Sequence, residues 1–236
     1  MSKGKLILIP TVISEGTQDF VISDHIRSTI KCLNYFLVEN LRTARRFISS
    51  LKLEVAIESL HFELLDKDTP SDKMEALIHP VFQGKDVGVM SESGCPGVAD
   101  PGALAVDFAH KNGIQVVPMV GPSSILMALM SSGFNGQSFV FHGYIPIDKG
   151  ERIRKIEQME EHAYQLKQTQ IFMDTPYRNR HLLNDLIENC NPSTRLSIAR
   201  DITGEKELIQ TKTLKEWKSA KTPDLHKIPV IFSLYF

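Results

Sequence analysis

Residues 87–102 read VGVMSESGCPGVADPG, and this stretch decides the fold class. Its first four residues, Val87–Met90, form an apolar run of strand length, and a helical pattern begins at Ala103. The loop between them is about twice as long as the ~2–6 residues usual for a strand–helix connection. Open parallel sheets bind ligands beyond the carboxyl ends of their strands, and glycines let the backbone approach a ligand closely. The stretch therefore predicts a parallel α/β sheet with a ligand-binding loop from Ser91.

Apolar runs and helical segments alternate on both sides of this loop. Such a rhythm is typical of a parallel sheet with helices on both faces. We expect strands at Leu6–Ile9, Tyr35–Val38, Leu53–Ile57, Val87–Met90 and Ile114–Val117. We expect helices at Asp24–Lys31, Leu41–Leu51 and Ala103–Lys111, and a further helix that is capped by Thr69 or Ser71 and closed by Gly84.

The pattern changes at Pro118, Gly121 and Pro122, after which several apolar runs follow one another without a helix between them. That change favours a mixed sheet in the second half. We expect helices there at Ser123–Ser132, Gly150–Leu166 and Arg178–Asn189, and strands at Phe139–Phe141, Gln170–Met173, Arg195–Ala199, Leu208–Thr213 and Val230–Tyr235. The predicted fold is thus α/β with two domains, a mostly parallel N-terminal domain over residues 1–119 and a mixed C-terminal domain over residues 120–236.

The composition excludes several classes of protein. The 236 residues are 42% hydrophobic and 23% charged, which is typical of globular proteins. The formal net charge of −1 excludes a generally basic nucleic-acid binder, although it leaves room for local basic patches. The 3 cysteines are too scattered for a disulfide framework or a metal site, and no run reaches the ~18 apolar residues of a membrane helix. We therefore predict a cytoplasmic protein that needs no metal.

The common nucleotide and nucleophile motifs are missing from the sequence. There is no GxGxxG, no phosphate loop and no GxSxG elbow, and the histidines lack HExxH spacing. The turn VGPSSI from Val120 places Ser123 or Ser124 at the start of a helix. That serine either caps the helix or lies where free backbone N–H groups hold a carboxylate of a ligand.

The order of six motifs carries a family resemblance. They are a strand ending at Pro10, SESGCPGVADPG from Ser91, VGPSS from Val120, FVFHGYIP from Phe139, DTPYR from Asp174 and ARDIT from Ala199. Together they resemble the tetrapyrrole methylase superfamily of S-adenosylmethionine-dependent methyltransferases. The most similar branch methylates the ribose 2′-hydroxyl of a cytidine in small-subunit ribosomal RNA. The resemblance extends from Leu6 to about Trp217.

The resemblance implies a homodimer in which S-adenosylmethionine lies in a cleft between the two domains of each chain. It implies cofactor contacts, mostly through the backbone of the long loop, at Pro10, Ser91, Ser93, Gly94, Cys95, Pro96, Val98, Ser124, Ile125, Met173, Ala199 and Pro229. It also implies a substrate, either ribosomal RNA or the small ribosomal subunit.

Some positions depart from the motifs of the ribosomal RNA branch. The branch's acid–Asp–Thr–Arg reads Glu39-Asn40-Leu41-Arg42 here, so only its first and last residues agree. Glu92 and Cys95 stand where the branch has Asp and Thr, and Gly204 replaces a Lys. The glycine of its first loop does not appear until Gly16. These differences affect what the motifs imply about the substrate more than what they imply about the cofactor.

A ribose hydroxyl is a weak nucleophile, so a base has to remove its proton. Glu39, which ends a predicted strand on the ligand side, is the first candidate and Asp174 the second, and a helix cap or an ion-pair partner is the alternative for each. RNA also requires cations, which either contact phosphates or simply face solvent. The candidate phosphate contacts are Arg42, Arg45, Arg46 and Arg178.

Two other functions remain open on these residues. The same chemistry could act on a tetrapyrrole, corrin or porphyrin, or on another small molecule. Alternatively, the altered first loop is compatible with a non-catalytic module that binds S-adenosylmethionine or assists ribosome assembly.

Overall fold

Short apolar runs form the first sheet in a computed structural model that describes residues 2–236. The strands are β1 (Lys5–Leu8), β2 (Tyr35–Val38), β3 (His61–Leu64), β4 (Val87–Met90) and β5 (Gln115–Pro118). They are all parallel in the order β3-β2-β4-β1-β5. Their carboxyl ends therefore share one edge of the sheet, as the sequence predicts.

Helices cover both faces of this sheet. They are α1 (Gln18–Val21), α2 (Asp24–Cys32), α3 (Leu41–Ser50), α4 (Met74–Phe82) and α5 (Gly102–Lys111). The buried side chains of α2 and α3 join one apolar cluster, and those of α4 and α5 join another. The helices that follow β1 and β2 therefore pack into one cluster, and the helix that follows β4 packs into the other. Such a change of direction between neighbouring strands opens a crevice at the carboxyl edge.

The third predicted strand was wrong in position. Leu53–Ile57 is irregular, and the strand that pairs with β2 is β3. The alternation of apolar residues there comes from a loop that buries Leu53. Lys52 and Glu54 adopt φ values of 52° and 59°, which lie in the left-handed region and interrupt an extended chain.

The predicted cap of the fourth helix was also wrong. The Thr69 hydroxyl donates to the Asp66 carboxylate instead, at 2.9 Å. Ser71 begins a 3-10 turn over Ser71–Lys73, and α4 starts after it at Met74 without a side-chain cap. Gly84, with φ 81°, follows the end of the helix as expected.

The second sheet is mixed, which confirms the predicted fold class. Its strands are β6 (Phe139–Tyr144), β7 (Thr169–Met173), β8 (Arg195–Arg200), β9 (Leu208–Thr213) and β10 (Val230–Tyr235). The order is β6-β7-β10-β8-β9, with β6 parallel to β7 and the other pairs antiparallel. The helices are α6 (Ser124–Ser132), α7 (Lys149–Leu166), α8 (Asn179–Asn189) and α9 (Leu214–Ser219).

The sequence did not reveal α9, although its start carries a capping box. The Thr213 hydroxyl accepts from the Glu216 N–H, and the Glu216 carboxylate accepts from Thr213. This helix buries Trp217, whose indole donates to the Leu196 carbonyl at 2.9 Å. Together with α7 and α8, it encloses the apolar core of the second sheet.

The residue contacts group the chain into two units, Met1–Ser123 and Ser124–Phe236. The domain limits expected from the sequence, 1–119 and 120–236, stay a prediction. Within residues 2–236, no helix combines the length and the apolar character needed to cross a membrane.

We expect Asp185→Asn to destabilise the second unit strongly. Arg152 Nε donates to Asp185 Oδ2 at 2.7 Å, and both side chains are buried. Removing one partner of a buried ion pair costs about 3–5 kcal/mol, because the remaining charge is uncompensated. Urea unfolding measures the change. The matched control is Asp107→Asn in the exposed Lys111–Asp107 pair, which should change stability by less than about 1 kcal/mol. Equal effects of the two substitutions would contradict this account.

Candidate functional site

Backbone hydrogen bonds join the loops that follow β1 and β4. Thr11 N donates to Gly94 O at 2.9 Å, and Gly94 N donates to Val12 O at 3.4 Å. The Thr11 hydroxyl also reaches Ser91 O at 3.4 Å. The two loops thus continue the pairing of their strands past the sheet. This arrangement brings together the predicted cofactor contacts Pro10, Ser91 and Gly94.

The loop after β5 packs against the same two loops. A Cβ atom at Gly121 would lie 2.1 Å from Pro10 Cβ, so only glycine permits this approach. Gly94 has φ 71°, and a Cβ there would lie 3.1 Å from Pro122 O. Cys95 Sγ donates to the same carbonyl at 3.2 Å. Three loops from neighbouring strands therefore form one closely packed backbone platform.

Asp100 fixes the shape of the long loop, a role that the sequence analysis missed. Its carboxylate accepts from Gly97 N at 2.8 Å and from Gly102 N at 2.7 Å. Gly97 and Ala99 both have positive φ, at 84° and 61°, so the loop turns sharply between these bonds. Burial raises the pKa of Asp100 above its usual value. An aspartate between two glycines in a loop is the signal that could have revealed this role.

A cavity of about 500 Å³ lies beside this loop. We name it the α5 cavity, and its lining includes Leu8, Cys95, Pro96, Val98 and Met119. Its volume is within the ~300–1,000 Å³ typical of small-molecule sites. Three of the predicted cofactor contacts therefore border a space of suitable size for a nucleoside cofactor.

Cys95 lacks the environment of a nucleophile. Burial raises the pKa of its thiol, and the Asp100 carboxylate raises it further. A reactive cysteine needs the opposite shift, toward the thiolate. The thiol therefore serves the packing of the loops. Among residues 2–236, no group of three or more His, Cys, Asp or Glu side chains could hold a metal ion.

Glu39 lies at the same carboxyl edge, directly after β2. Its Oε2 accepts from Glu92 N at 3.3 Å. Partial burial raises the pKa of Glu39, and the charges of Glu92, Asp100 and Asp66 raise it further. The cap of α3 is Asn40, whose side chain accepts from the N–H groups of the first turn. Glu39 is therefore not the helix cap that was its alternative interpretation.

A second cavity, of about 240 Å³, is lined in part by Ser91 and Glu92 of the loop after β4. We name it the α3 cavity. Its polar lining comes from four parts of the first unit, namely the loop after β1, the start of α1, the helix α3 and the loop after β4: Thr11, Glu15, Gln18, Thr43, Arg46, Ser50, Ser91 and Glu92. The Thr43 hydroxyl donates to Glu92 Oε1 at 3.1 Å and so joins α3 to the β4 loop.

The three predicted phosphate contacts of α3 are exposed. Arg46 pairs with Glu15 at 2.9 Å, and both side chains are largely solvent-accessible. The Arg45 guanidinium lies over the Phe62 ring, 5.4 Å from its centroid. Arg42 lies in the first turn of the helix. The helix thus presents a row of cations beside the carboxyl edge of the sheet.

In the second unit, three predicted cofactor contacts lie at the end of the central strands. Ile231 of β10 pairs with Met173 on one side and with Ala199 on the other. Pro229 precedes β10, and its carbonyl accepts from Asp201 N at 2.9 Å. Met173, Ala199 and Pro229 therefore share one edge of this sheet. Ser124 and Ile125, which are half-buried, form the start of α6.

Asp174 and Arg178 form an ion pair with each other in the second unit. Asp174 is 5% exposed, and its Oδ1 also accepts from Thr175 N at 2.7 Å. The Arg178 Nε donates to the Thr175 hydroxyl at 3.2 Å. The pairing agrees with the ion-pair alternative for Asp174. It also means that the Arg178 guanidinium already has a carboxylate partner in the second unit. Glu39 is therefore the stronger of the two candidates for a base.

The sequence matches one family along most of its length. A model of the family described as Tetrapyrrole (Corrin/Porphyrin) Methylases matches residues 38–218. A protein of Halalkalibacterium halodurans named Ribosomal RNA small subunit methyltransferase I is 29% identical over 91% of this chain and 70% of its own length. A protein of the same name from Vibrio cholerae is 25% identical over 89% of this chain and 69% of its own length. Another, from Mesorhizobium japonicum, is 33% identical over 62% of this chain and 50% of its own length.

Solved structures share the fold. The methyltransferase CobJ superposes with a TM-score of 0.63 at 17% identity, over 100% of this chain and 94% of its own. A uroporphyrin-III C-methyltransferase from Thermus thermophilus superposes with a TM-score of 0.55 at 15% identity, over 98% and 92% of the two chains. At such identities the likeness concerns the fold alone.

We expect Gly121→Ala to disrupt the platform of three loops. The added methyl group overlaps the Pro10 ring, and overpacking of this kind costs about 1–3 kcal/mol of stability. Because the loops also shift, the affinity for S-adenosylmethionine should fall by about 10–100-fold in calorimetry. The control is Gly136→Ala, where nothing lies within 4 Å of the added atom. If the Gly121→Ala variant binds the cofactor as tightly as the wild type does, the cofactor does not bind at this platform.

Proposed function

Because the chain belongs to the tetrapyrrole methylase family and is therefore an S-adenosylmethionine-dependent methyltransferase, we propose that it methylates a ribose 2′-hydroxyl in small-subunit ribosomal RNA. The membership confirms the resemblance carried by the six motifs. The observation that supports this substrate is the match to relatives named Ribosomal RNA small subunit methyltransferase I, two of them over about nine-tenths of the chain.

When bound, the cofactor would supply a methyl group on its sulfonium: the ribose oxygen would form a bond to the methyl carbon in line as the carbon–sulfur bond breaks and the neutral thioether leaves. The chain has to bind the cofactor, orient the hydroxyl and accept its proton. We propose that the platform formed by Pro10, Gly94 and Gly121 holds the cofactor beside the α5 cavity. The course of the chain supports this, because Cys95 to Val98, which follow Gly94, and Met119, which precedes Gly121, line the cavity.

The other predicted cofactor contacts are proposed on the same basis. In the first unit, they belong to the loop whose shape Asp100 fixes: Ser91, Ser93, Cys95, Pro96 and Val98. In the second unit, they are Ser124 and Ile125 at the start of α6, and Met173, Ala199 and Pro229 at one edge of the mixed sheet.

We propose that Glu39 takes the proton of the ribose hydroxyl. The pKa of Glu39 is raised toward neutral pH, and a carboxylate with a higher pKa is a stronger proton acceptor. One of its oxygens is already oriented by the Glu92 N–H. Asp174 is the weaker alternative, because its carboxylate is already engaged in an ion pair with Arg178.

The proposed RNA contacts are the arginines of α3. Arg42 and Arg45 face solvent at the carboxyl edge, where phosphates can reach them without displacing a carboxylate. Arg46 and Arg178 are included in the proposal, although each must exchange an existing partner, Glu15 or Asp174, for a phosphate. With a formal net charge of −1, recognition must come from such local groups.

A homodimer in the cytoplasm is also proposed. In the first unit, Val120 is 92% exposed, and in the second unit Met130 and Ile147 are 81% and 78% exposed. We propose that a second copy of the chain covers these apolar side chains, since homodimer interfaces are more apolar than other surfaces. The free cysteines fit a reducing compartment, where the proposed ribosomal substrate is also found.

The proposal predicts the loss of one ribose methyl group from small-subunit RNA in a strain that lacks the gene. Mass mapping of that RNA should show one 2′-O-methylated nucleotide becoming unmodified, and a plasmid carrying the gene should restore it. Purified protein should transfer the methyl group from S-adenosylmethionine to subunits isolated from the deletion strain. An unchanged methylation pattern, or transfer only to a tetrapyrrole, would refute the substrate.

We expect Glu39→Gln to remove the acid limb of the pH–rate profile. A base acts only when it is deprotonated, so the wild-type rate should increase as the pH rises through the pKa of Glu39. Because that pKa is raised, the limb should lie above the ordinary carboxylate value of 4.5. The substitution should lower the rate by about 10²–10⁴-fold.

Single-turnover methylation at several pH values measures this effect. Glu58→Gln, an exposed carboxylate after α3, is the control and should keep the wild-type profile. If Glu39→Gln retains both the rate and the limb, another group is the base.

A further inference from the structure

We propose that Tyr177 stacks on an unpaired RNA base that neighbours the methylated nucleotide, with Lys227 contacting the phosphate chain beside it. The inference rests on the proposed function and adds a contact for the RNA strand in the second unit, next to Arg178. Stacking on an aromatic ring tolerates every base. The proposed contact therefore positions the strand and does not select its sequence.

Tyr177 is exposed although its loop is anchored by buried residues. Its side chain is 66% exposed, whereas Asp174 and Asn179 in the same segment are 5% and 0% exposed. A side chain with that much exposure removes little apolar area from water and so contributes little to stability. The packing of the second unit therefore does not account for an aromatic ring at this position.

Two exposed residues flank the ring of Tyr177. Lys227 Nζ lies 5.8 Å from the ring centroid, and the ring of His226 meets it edge-on at 6.1 Å between centroids. Within residues 2–236, Lys227 forms no ion pair, so its charge is available to an anionic ligand. Tyr177, His226 and Lys227 form one small surface, which we name the Tyr177 platform.

The backbone fixes the platform before any ligand binds. Lys227 N donates to Pro176 O at 3.1 Å, and Lys227 has a φ of 59°, which is uncommon for a residue with a Cβ atom. Arg200 Nη1 donates to Asp224 O at 2.9 Å, and the Asp224 carboxylate accepts from His226 N at 3.1 Å. A surface that is already ordered loses little conformational entropy on binding.

The Tyr177 platform lies beside the edge of the second sheet that carries predicted cofactor contacts. Met173 ends β7 four residues before Tyr177, and Pro229 follows Lys227 by two residues. Four residues of chain span at most about 14 Å. An RNA strand whose ribose reaches this edge would therefore pass Tyr177 within a few nucleotides.

The chemistry of the platform favours single-stranded RNA as its occupant. Proteins hold unpaired bases by stacking them on exposed aromatic rings, with cations nearby for the phosphates. Bases inside a duplex are already stacked on one another and do not reach such a ring. A protein partner would need a wider apolar surface, whereas the exposed residues that follow Tyr177, Arg180 and His181, are polar.

A second tyrosine of the same unit provides a matched control. Tyr164 is 55% exposed, and Lys167 Nζ lies 4.8 Å from its ring centroid. Tyr164 lies near the end of α7, which leads into the start of β7, whereas Tyr177 follows the end of that strand. The two tyrosines thus share exposure and a lysine neighbour, and they differ in their place on the sheet.

We expect Tyr177→Ala to weaken the binding of a fluorescein-labelled single-stranded RNA of about ten nucleotides by about tenfold. The titration uses protein saturated with S-adenosylhomocysteine, and Tyr164→Ala should keep an affinity within about twofold of wild type. The affinity for S-adenosylmethionine, measured by calorimetry, should stay within about twofold in both variants. A duplex of the same sequence should bind more weakly than the single strand.

Tyr177→Trp tests the stacking itself. The substitution keeps a flat ring, so the affinity for the RNA should be retained, and a stacked base should quench the new indole fluorescence. The chain's 1 native tryptophan, Trp217, is buried, and Tyr164→Trp should show no quenching. Lys227→Gln should reduce the slope of log affinity against log salt by about 0.7, whereas Lys167→Gln should leave it unchanged.

Unchanged RNA affinity in Tyr177→Ala, or an equal loss in Tyr164→Ala, would overturn the proposal. Equal binding of the duplex, or no quenching in Tyr177→Trp, would overturn it as well. A parallel loss of S-adenosylmethionine affinity in Tyr177→Ala would assign the ring to the cofactor instead. Thermal unfolding checks that each variant folds, and if Tyr177→Ala does not, the quenching in Tyr177→Trp decides.

The RNA titration does not require methyl transfer, so it separates this inference from the proposed function. If the wild-type protein fails to methylate subunits, the proposed function fails. The titration then still decides whether Tyr177 stacks on an unpaired base.

Discussion

The hydrogen bond from Thr11 N to Gly94 O is the interaction on which the arrangement of the site depends. It continues the pairing of β1 and β4 beyond the sheet and so holds the long loop against the first. Asp100 then fixes the far end of that loop, and Gly121 allows the loop after β5 to contact Pro10. Without this sequence of contacts, the glycine-rich loop would have no defined shape and no defined cavity beside it.

The electrostatics of the carboxyl edge follow from the same packing. The loop after β4 brings Glu92 and Asp100 toward Glu39, and both charges add to the effect of burial on the pKa of Glu39. The arginines of α3 lie at the same edge but face solvent. The edge therefore combines a carboxylate suited to accept a proton with cations available to a polyanion. This combination is compatible with methyl transfer to RNA.

Much of the fold could be predicted because its central strands are apolar runs that end at glycine, proline or polar residues. The central strands β2, β4 and β10 have the predicted bounds, and so does the edge strand β9, although its sequence LIQTKT is mixed. β3 could not be predicted, because this edge strand has the mixed sequence HFEL and a buried loop nearby mimics a strand. Helix starts were also uncertain where a turn comes first, as it does before α4.

The site was predictable to a lesser degree. The glycines and prolines of residues 91–102 indicate a special loop, but they do not reveal which groups hold it. The bonds of Asp100 depend on positive φ values at Gly97 and Ala99, which spacing alone does not specify. Likewise, Asp174 and Arg178 are four residues apart, yet their pairing depends on the turn that precedes α8. Contacts across loops are set by tertiary packing, which the motifs do not encode individually.

Hydrogen exchange measured by mass spectrometry, with and without S-adenosylmethionine, tests the central claim most directly. The claim is that the cofactor binds where the loops after β1, β4 and β5 meet. The account predicts that the cofactor slows exchange in peptides covering residues 10–12, 91–98 and 119–122, while peptides of α4 exchange at unchanged rates. Cofactor binding that leaves these three loops unprotected would contradict it.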